Sequence, residues 1–469
     1  MNEPFFGRRE ELKSLQELYD KVGFQMCVLY GRRRIGKTML LRRFTEELNP
    51  VFFTAVQALP ERNLRLFTNC VLERFSPDMT SFSLDSFESL FSYLSNTCKN
   101  ERVVVVIDEF QYLAESDPGL LSLMQSYIDN EWKSGQMFLI LSGSSISFME
   151  KRVLSEKSPV FGRRTAQIRL GKFDYMDSAL FVPNYTSEEK AVVYGLTGGV
   201  AKYLSLFDDS ISLDENIVRN IFSKSGYLFE EPQNYLTQEF RNVPLYSSII
   251  GMIASGVNKP GKISDKLHLD PSSVAQALKS LIMAELVEKI HALTDENNNK
   301  KVLYDLKDMM FRFWYRFVQE GLSVIEAGGG VIYYRKVVKP LLPDYMGHIF
   351  EEMCRTYTLK KGIEGEFGEL ITKVGTWWGT DAGKKEQTDI DVVALASPGK
   401  KIFIGECKYR KEMLDKQVFE QLDEKRNLLG NKYKTSGLIL FSKSGFSDWV
   451  KDKEGEGVFL VDLEKMYVI

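Results

Sequence analysis

The sequence predicts an α/β fold in three successive parts: a parallel-sheet domain, a smaller helical segment that ends in a hairpin, and a second α/β domain. Three observations support this class. The stretches "MCVLY", "VVVVID" and "LILSG" are continuously apolar, which is typical of strands buried on both faces of a parallel sheet. "DPSSVAQALKSLIMAEL" has helical spacing, and "TDIDVVALASPGKKIFIGECKYR" contains two apolar runs interrupted by charges. At 469 residues the chain is long enough for about three domains.

The composition, 44% hydrophobic and 27% charged residues, is that of a soluble globular protein. The longest apolar run is too short to cross a membrane and the N-terminal segment lacks a signal-peptide pattern, so we expect a cytoplasmic protein without a membrane partner. A net charge of -3 neither supports nor excludes contact with DNA, which would need local basic patches. Five scattered cysteines and three histidines predict reduced thiols and a catalytic metal held by carboxylates, which favours Mg²⁺ or Mn²⁺.

The first part begins with a glycine-bounded loop between an apolar strand and a helix. The loop reads Gly31-x-x-x-x-Gly36-Lys37-Thr38, which is the P-loop pattern. Its main-chain N–H groups are expected to hold phosphates, with Lys37 at the β and γ phosphates and Thr38 on Mg²⁺. Arg34, inside the loop, is assigned to the same nucleotide site. A chance glycine loop is the alternative, but it leaves the flanking strand and helix unexplained.

Two acids, Asp108 and Glu109, end the apolar strand "VVVVID". Ligands of a parallel sheet bind beyond the carboxyl ends of its strands. Asp108 is therefore expected to hold Mg²⁺ through water, and Glu109 to polarise the attacking water. The alternative for Asp108 is a helix N-cap. Residues 142–144 fit either γ-phosphate sensing or a plain turn, and Arg163 fits either phosphate sensing or a solvated basic turn.

The segments "FFGRREELKSL", "VVVVIDEF", "LILSGSS", "FGRRT" and "LTGGVAKYL", together with the P-loop, resemble archaeal-type ATPases of the STAND branch of AAA+ proteins. The resemblance covers residues 1–240. It implies a P-loop NTPase sheet with a helical lid that binds ATP or ADP with Mg²⁺ and hydrolyses ATP. In that family the segment matching Phe6–Arg9 packs near the adenine, and the pair matching Gly198 and Gly199 begins the lid.

The second part, 241–320, is predicted to be a winged helix. "PLYSSIIGMIASG" and "GKISDKLHL" have the character of short helices, and a third helix starts with Asp270 as N-cap and Pro271 in its first turn. "LVEKIHAL", the turn "TDENNNK" and "KVLYDL" then form a hairpin. The ATPases of the resemblance carry a winged helix here as well. The alternative to DNA contact is an intramolecular clamp in an ATP-dependent switch. Side chains of the third helix expected to reach phosphates or base edges are Ser272, Ser273, Gln276 and Lys279.

The third part, 335–469, follows three consecutive glycines, which predict a linker. Because side chains alternate along a strand, Glu406 and Lys408 share one face, and Asp391 on the neighbouring strand can project to the same place. Two carboxylates can bind Mg²⁺ while the lysine holds or activates a water, a layout that cleaves phosphodiesters. The alternative is a surface ladder of salt bridges.

Asp391 followed by Glu406-x-Lys408 resembles the PD-(D/E)XK, or restriction-endonuclease-like, fold. "GHIFEE", "WWG", "TDIDVVA" and "GECKYR" resemble the nuclease-like domain of unknown function fused to these ATPases. The resemblance implies that Glu351, on the preceding helix, supports the metal site of Asp391 and Glu406, with Mn²⁺ as a second candidate ion. We therefore expect an ATPase that couples a nucleotide switch to DNA engagement, with DNA cleavage left open. The alternative is a STAND-type regulatory DNA-binding switch with a catalytically idle nuclease fold. Oligomerisation and partner proteins are also left open.

Overall fold

The chain divides into two units, and each unit consists of two separate segments of the sequence. The N-terminal unit comprises Met1–Lys172 and Val200–Lys202, and the C-terminal unit comprises Phe173–Gly199 and Tyr203–Ile469. The structure is a computed structural model. It describes residues 4–77, 84–293, 302–381, 383–397, 399–429 and 432–468.

Strands and helices alternate in the N-terminal unit. The strands are β1 (Gln25–Tyr30), β2 (Val51–Thr54), β3 (Val103–Asp108), β4 (Met137–Gly143) and β5 (Ala166–Arg169). The helices are α1 (Arg9–Tyr19), α2 (Lys37–Thr45), α3 (Pro60–Phe75), α4 (Phe87–Thr97), α5 (Phe110–Ser116), α6 (Leu120–Asn130) and α7 (Ile146–Phe148). The strands pair in parallel in the order β2-β3-β4-β1-β5, so their carboxyl ends lie at one edge of the sheet.

This sheet is covered on both faces because its strands carry apolar side chains at consecutive positions. Along β3, Val105 and Ile107 pack on one face, and Val104 and Val106 pack on the other. Helices α3, α4, α5 and α6 contribute to the first of these cores, and α1 and α2 contribute to the second. The predicted parallel sheet, typical of a P-loop NTPase, is confirmed.

The C-terminal unit begins with helices, which follow the parallel sheet in the sequence as the predicted helical lid does. The first ones are α8 (Tyr175–Ala179), α9 (Ser187–Thr197), α11 (Leu213–Ile221) and α12 (Glu231–Glu239). Between α9 and α11, the short helix α10 (Ala201–Leu204) begins in the N-terminal unit and ends in the C-terminal unit. Gly198 and Gly199, which end α9, have φ of 59° and 70°. A Cβ on Gly199 would lie 1.8 Å from the Phe173 carbonyl oxygen. Only glycine fits this chain reversal.

Three helices and a hairpin follow. They are α13 (Val243–Ala254), α14 (Pro260–Leu267), α15 (Pro271–Met283), β6 (Val287–His291) and β7 (Val302–Leu306), the two strands being antiparallel. Asp270 caps α15 as predicted, because its carboxylate accepts from the main-chain N–H groups of Ser272 and Ser273 at 2.9 and 3.3 Å. The predicted turn at 294–300 lies outside the described residues. This is the element order predicted for a winged helix, and that assignment stays a prediction.

A series of helices with buried faces connects these elements to the last sheet. Its helices are α16 (Met309–Phe313), α17 (Gln319–Glu326), α18 (Gly330–Tyr333) and α19 (Lys339–Ile363). The indole N–H of Trp314 donates to the Phe229 carbonyl at 2.7 Å, and the aromatic run that contains it is core, as expected. The predicted linker is wrong. Gly330 is buried in α18, and a Cβ there would lie 1.9 Å from the Phe222 carbonyl oxygen, so this glycine permits close packing.

The last elements form a mixed sheet with two short helices. They are β8 (Leu370–Asp381), β9 (Glu386–Ser397), β10 (Lys401–Lys408), α20 (Lys416–Glu424), β11 (Lys434–Ser442), α21 (Asp448–Lys451) and β12 (Val458–Asp462). The order is β12-β11-β10-β9-β8. Strands β8, β9 and β10 pair antiparallel, whereas β10, β11 and β12 pair parallel. The predicted C-terminal α/β domain is confirmed at the level of its mixed sheet. No helix in the described ranges has the length and apolar character of a membrane span.

Candidate functional site

The predicted P-loop joins β1 to α2 at the carboxyl edge of the parallel sheet. Gly31 approaches the neighbouring chain so closely that a Cβ would lie 2.3 Å from the Leu170 carbonyl oxygen. Gly36, just before α2, has a φ of 95°, a left-handed conformation that glycine adopts without strain. The main-chain path of the loop therefore requires both predicted glycines. The first turn of α2 then offers N–H groups that have no partner within the helix, which is the usual basis of phosphate binding.

Lys37 is held inside this loop with only 5% of its surface exposed. Its Nζ donates to the carbonyl oxygens of Gly31 and Arg32, both at 2.9 Å. The loop thus positions an ammonium group at the N-terminus of α2, where a bound phosphate would meet it.

Thr38 and Asp108 meet although they come from α2 and β3. Thr38 Oγ1 donates to Asp108 Oδ2 at 2.6 Å, and Asp108 is 1% exposed. The strand order explains the meeting, because β4 alone separates β1 from β3. A hydroxyl and a carboxylate are hard oxygen ligands, so this pair fits a Mg²⁺ ion.

Glu109 follows with a φ of 53°, which is uncommon outside glycine and is found at functional sites. Its carboxylate accepts from Ser144 Oγ and Gln111 Nε2. Gln111 Nε2 also donates to Ser144 Oγ at 2.9 Å. This triangle joins the start of α5 to the end of β4 and orients the Glu109 carboxylate at the sheet edge. Gln111 was missed from the sequence, and its position just after the acid pair was the available signal.

The two predicted arginines have different surroundings. Arg34 lies in the loop with a φ of 69°, and its carbonyl accepts from the Lys202 main-chain N–H at 3.0 Å. Arg163 donates to Asp129 on α6 at 2.7 Å. Its hydrogen bond, followed by that of Lys133, lowers the pKa of Asp129 to about 2. The structure thus places Arg163 in a surface ion pair, and its phosphate-sensing role stays a prediction.

A second group of charges lies on the mixed sheet. Glu406 Oε1 accepts from Lys408 Nζ at 2.6 Å, and Glu406 Oε2 accepts from Lys425 Nζ at 3.2 Å. Asp391 Oδ2 accepts from the Cys407 main-chain N–H at 2.9 Å. The predicted residues of β9 and β10 are therefore brought together. Lys425, from the turn after α20, is an additional member that the sequence did not single out.

Glu351, on α19, lies near enough to this group for its charge to raise the pKa of Asp391, and its support of a metal site stays a prediction. Arg355, one turn later on the same helix, lies 3.6 Å from Glu351 Oε2 and donates to the Asp391 carbonyl oxygen at 3.1 Å. Burial raises the pKa of Glu351, Arg355 acts in the opposite direction, and nearby carboxylates, including Glu406, add to the rise. Arg355, also missed from the sequence, links the helix to the main chain of β9.

The pKa of Asp391 shifts in the direction opposite to that of a carboxylate in a simple ladder of salt bridges. Burial, followed by the charges of Glu406 and Glu351, raises the pKa of Asp391 to about 7. A carboxylate in a simple salt bridge has its pKa lowered instead. For Lys408, burial lowers the pKa, but Glu406 outweighs it and the net shift is upward. Lys408 is therefore an ammonium ion at neutral pH, which can hold a water or an anion but cannot accept a proton.

The donor set of this group fits Mg²⁺ or Mn²⁺ when water and phosphate complete the coordination shell. Asp391 and Glu406 supply carboxylate oxygens, and Mg²⁺ is commonly held by one or two carboxylates. Across the part of the chain that the structure describes, no three or more His, Cys, Asp or Glu side chains are grouped to hold a metal ion.

The sheet order and the P-loop define the N-terminal unit as a P-loop nucleotide-binding fold. Residues 5–207 match a family described as an ATPase domain predominantly from Archaea. Residues 314–425 match a family described as archaeal and bacterial proteins of unknown function.

Among individual proteins, an uncharacterised protein of Methanocaldococcus jannaschii is 29% identical over 463 residues, which cover 98% of this chain and 99% of that protein. The Walker-type ATPase of Pyrococcus abyssi has a TM-score of 0.50 and 21% identity, covering 66% of this chain and 96% of that one. The ORC2 protein of Aeropyrum pernix has a TM-score of 0.44 and 15% identity, covering 70% and 97%. At 21% identity, the likeness to the Pyrococcus abyssi ATPase concerns the fold alone.

Proposed function

We propose that the N-terminal unit binds ATP with Mg²⁺ and hydrolyses it, and that the nucleotide state controls engagement of DNA by the C-terminal unit. The observation that carries the proposal is the meeting of four predicted side chains at one sheet edge. They are Lys37, Thr38, Asp108 and Glu109. Mg²⁺, when bound, would offset charge on the β and γ phosphates.

Each side chain of this edge has a separate role in the proposal. Lys37 offsets charge on the phosphates, and Thr38 with Asp108 holds the ion. Glu109 orients and polarises the attacking water, while Gln111 and Ser144 fix its carboxylate through their hydrogen bonds. Arg34 and Arg163 are kept as proposed nucleotide contacts. The matching archaeal ATPase domain supports the same assignment.

Glu109→Gln is expected to bind ATP normally and to lower turnover by about 100-fold or more, the usual contribution of a general base. The amide keeps the shape of the side chain and can still accept from Ser144, so the fold should be unaffected. A phosphate-release assay beside an ATP-binding titration measures both quantities.

Glu115→Gln is the matched control, because Glu115 is exposed on the same helix and should keep wild-type turnover. Full turnover in Glu109→Gln would move the water-orienting role to another residue. Loss of ATP binding would instead indicate a structural role for Glu109.

The winged-helix assignment supports the DNA part of the proposal. Ser272, Ser273, Gln276 and Lys279 are exposed along one helix, α15, and such side chains contact phosphates and base edges. The proposed domains are therefore 1–240 for the ATPase with its lid, 241–320 for the winged helix, and 335–469 for the last α/β domain.

A second candidate function is Mg²⁺-dependent cleavage of DNA by the last domain. The meeting of Asp391 on β9 with Glu406 and Lys408 on β10 carries it, and the raised pKa of Asp391 agrees with it, because a divalent cation would favour the ionised form. Asp391 and Glu406, with support from Glu351, would hold the ion. Lys408 would hold the water that attacks the phosphodiester.

The competing candidate is a regulatory switch whose nuclease-like fold is idle. Both oxygens of Glu406 already accept from lysines, which is the observation that favours it. Plasmid and single-stranded DNA, incubated with the full-length protein, Mg²⁺ or Mn²⁺, and with or without ATP, separate the two. We expect nicking of the plasmid. Absence of both metal binding at millimolar concentration and nicking would establish the switch.

A further inference from the structure

Lys425 reaches the Glu406 carboxylate from a separate element. It begins the turn that follows α20, whereas Glu406 and Lys408 lie on β10. Its Nζ donates to Glu406 Oε2 at 3.2 Å, while Lys408 Nζ donates to Oε1 at 2.6 Å. The pair is well shielded, with 14% of the Glu406 side chain and 20% of the Lys425 side chain exposed. Each carboxylate oxygen of Glu406 therefore has an ammonium partner.

This arrangement competes with a metal ion. Each Glu406 oxygen has a second lone pair, but an ammonium and a divalent ion on the same oxygen repel each other, so binding of the ion at Glu406 favours withdrawal of one lysine. Lys408 is fixed two positions along the same strand and has the shorter contact. Lys425 has the longer contact, and lysine carries its charge on a flexible four-carbon stem. Lys425 is therefore the lysine that a metal ion displaces.

The charge of the site after this exchange favours an anion. Asp391 and Glu406 offset Lys408 and Lys425 when all four are ionised, and Glu351 offsets Arg355. A divalent ion then adds two positive charges that these side chains do not balance. Lys425 would then lie next to that ion without the hydrogen bond to Glu406 Oε2, because the ion binds that oxygen. A backbone phosphate, which bears one negative charge and accepts hydrogen bonds from ammonium groups, meets both requirements.

We propose that Lys425 is a phosphate-binding residue: it holds Glu406 in the metal-free protein and transfers to a backbone phosphate of DNA when a divalent ion binds Glu406. This inference rests on the metal-dependent DNA cleavage proposed above. Lys425 has two successive partners in this inference, Glu406 and then a phosphate. Removal of Lys425 is therefore expected to raise the affinity for metal and to lower the affinity for DNA.

Lys425→Ala in the full-length protein should bind Mn²⁺ about tenfold more tightly, because a charge-assisted hydrogen bond that opposes the ion is removed. The same variant should bind a fluorescent duplex about tenfold more weakly in Ca²⁺, with a salt slope reduced by about one. In EDTA its DNA affinity should match the wild type, since Lys425 then remains on Glu406. Calorimetry and fluorescence anisotropy measure these quantities.

Two variants sharpen the test. Lys425→Arg keeps the positive charge and should retain most of the Ca²⁺-dependent gain in DNA affinity. Lys384→Ala removes an exposed lysine that pairs with Glu424 on α20, and it should change neither affinity. Thermal melting of each variant checks that the fold is intact.

The outcomes separate the inference from the proposal beneath it. If wild-type protein binds Mn²⁺ but Lys425→Ala keeps its Ca²⁺-dependent DNA affinity, Lys425 is a structural partner of Glu406 and the inference is overturned. If wild-type protein binds no Mn²⁺ and gains no DNA affinity from Ca²⁺, the proposed cleavage activity falls as well.

Discussion

Lys37→Ala should lower the affinity for ATP by at least about a hundredfold, because the loss of a buried charged hydrogen-bond donor costs a few kcal/mol. The Lys37 ammonium is already positioned by the carbonyls of Gly31 and Arg32, so little ordering remains to be done when phosphates bind. Alanine removes the cation and leaves a gap in the loop. Titration with a fluorescent ATP analogue measures the change, and turnover should fall below detection.

The control for this variant is Lys133→Ala. Lys133 is exposed and pairs with Asp129 at 2.7 Å, so its removal takes one positive charge from the same unit without touching the loop. It should bind ATP as the wild type does. Near-wild-type affinity in a folded Lys37→Ala protein would mean that the nucleotide binds elsewhere.

Asp391→Asn should stabilise the protein while abolishing metal-dependent DNA cleavage. A pKa raised to about 7 by burial and by Glu406 and Glu351 means that the folded protein disfavours the ionised carboxylate. Compared with the ordinary pKa of an aspartate, this shift means that ionised Asp391 destabilises the folded protein by about 4 kcal/mol at high pH. Asparagine is neutral and its side-chain oxygen can still accept from the Cys407 N–H. Chemical denaturation in EDTA should therefore show a gain of about 2 to 4 kcal/mol at pH 8.

The stability gained in Asp391→Asn should depend on pH. Because the pKa of Asp391 is higher in the folded than in the unfolded protein, its contribution to stability is fully present below about pH 4 and is lost as the pH rises through about 7. The difference between Asp391→Asn and the wild type should therefore be close to zero at pH 4 and should grow up to pH 8. A difference that is constant with pH would contradict the raised pKa.

Two further variants complete this comparison. Glu386→Gln changes an exposed acid on the same strand, β9, and should leave stability unchanged. Lys408→Ala should still bind metal but should not cleave DNA, because the attacking water is no longer held by the Lys408 ammonium group. A ladder of salt bridges makes the opposite forecast, in which Asp391→Asn destabilises the protein by about 1 kcal/mol or less and the wild type binds no metal.

Those parts of the fold that depend on local sequence could be predicted. Continuous apolar runs identified the parallel strands, and the spacing of Gly31, Gly36 and Lys37 identified the loop that the main chain requires. The position of Asp391 relative to Glu406 and Lys408 followed from strand alternation. In each case the residues that matter lie within one short stretch of sequence, or on strands that pair as neighbours.

What the sequence did not reveal depends on side chains that arrive from distant elements. Lys425 and Arg355 join the charged group from the turn after α20 and from α19, and no local pattern distinguishes them from other exposed cations. The three glycines at 328–330 suggested a linker because glycine is common in flexible segments. Gly330 instead admits the Phe222 carbonyl into close contact. Composition alone cannot separate these two uses of glycine.

The short stretch Val200–Lys202 determines how the protein can be cut into fragments. It belongs to the N-terminal unit, and its Lys202 N–H bonds the Arg34 carbonyl in the P-loop. A truncation after Lys172 would therefore remove a hydrogen bond that supports the P-loop. A fragment starting at 335 would lose Tyr175 and Ser187, which bond Met466 and Glu464. Limited proteolysis at a single site should consequently release neither half in a native state. The two proposed activities are therefore best separated by point substitutions in the intact chain.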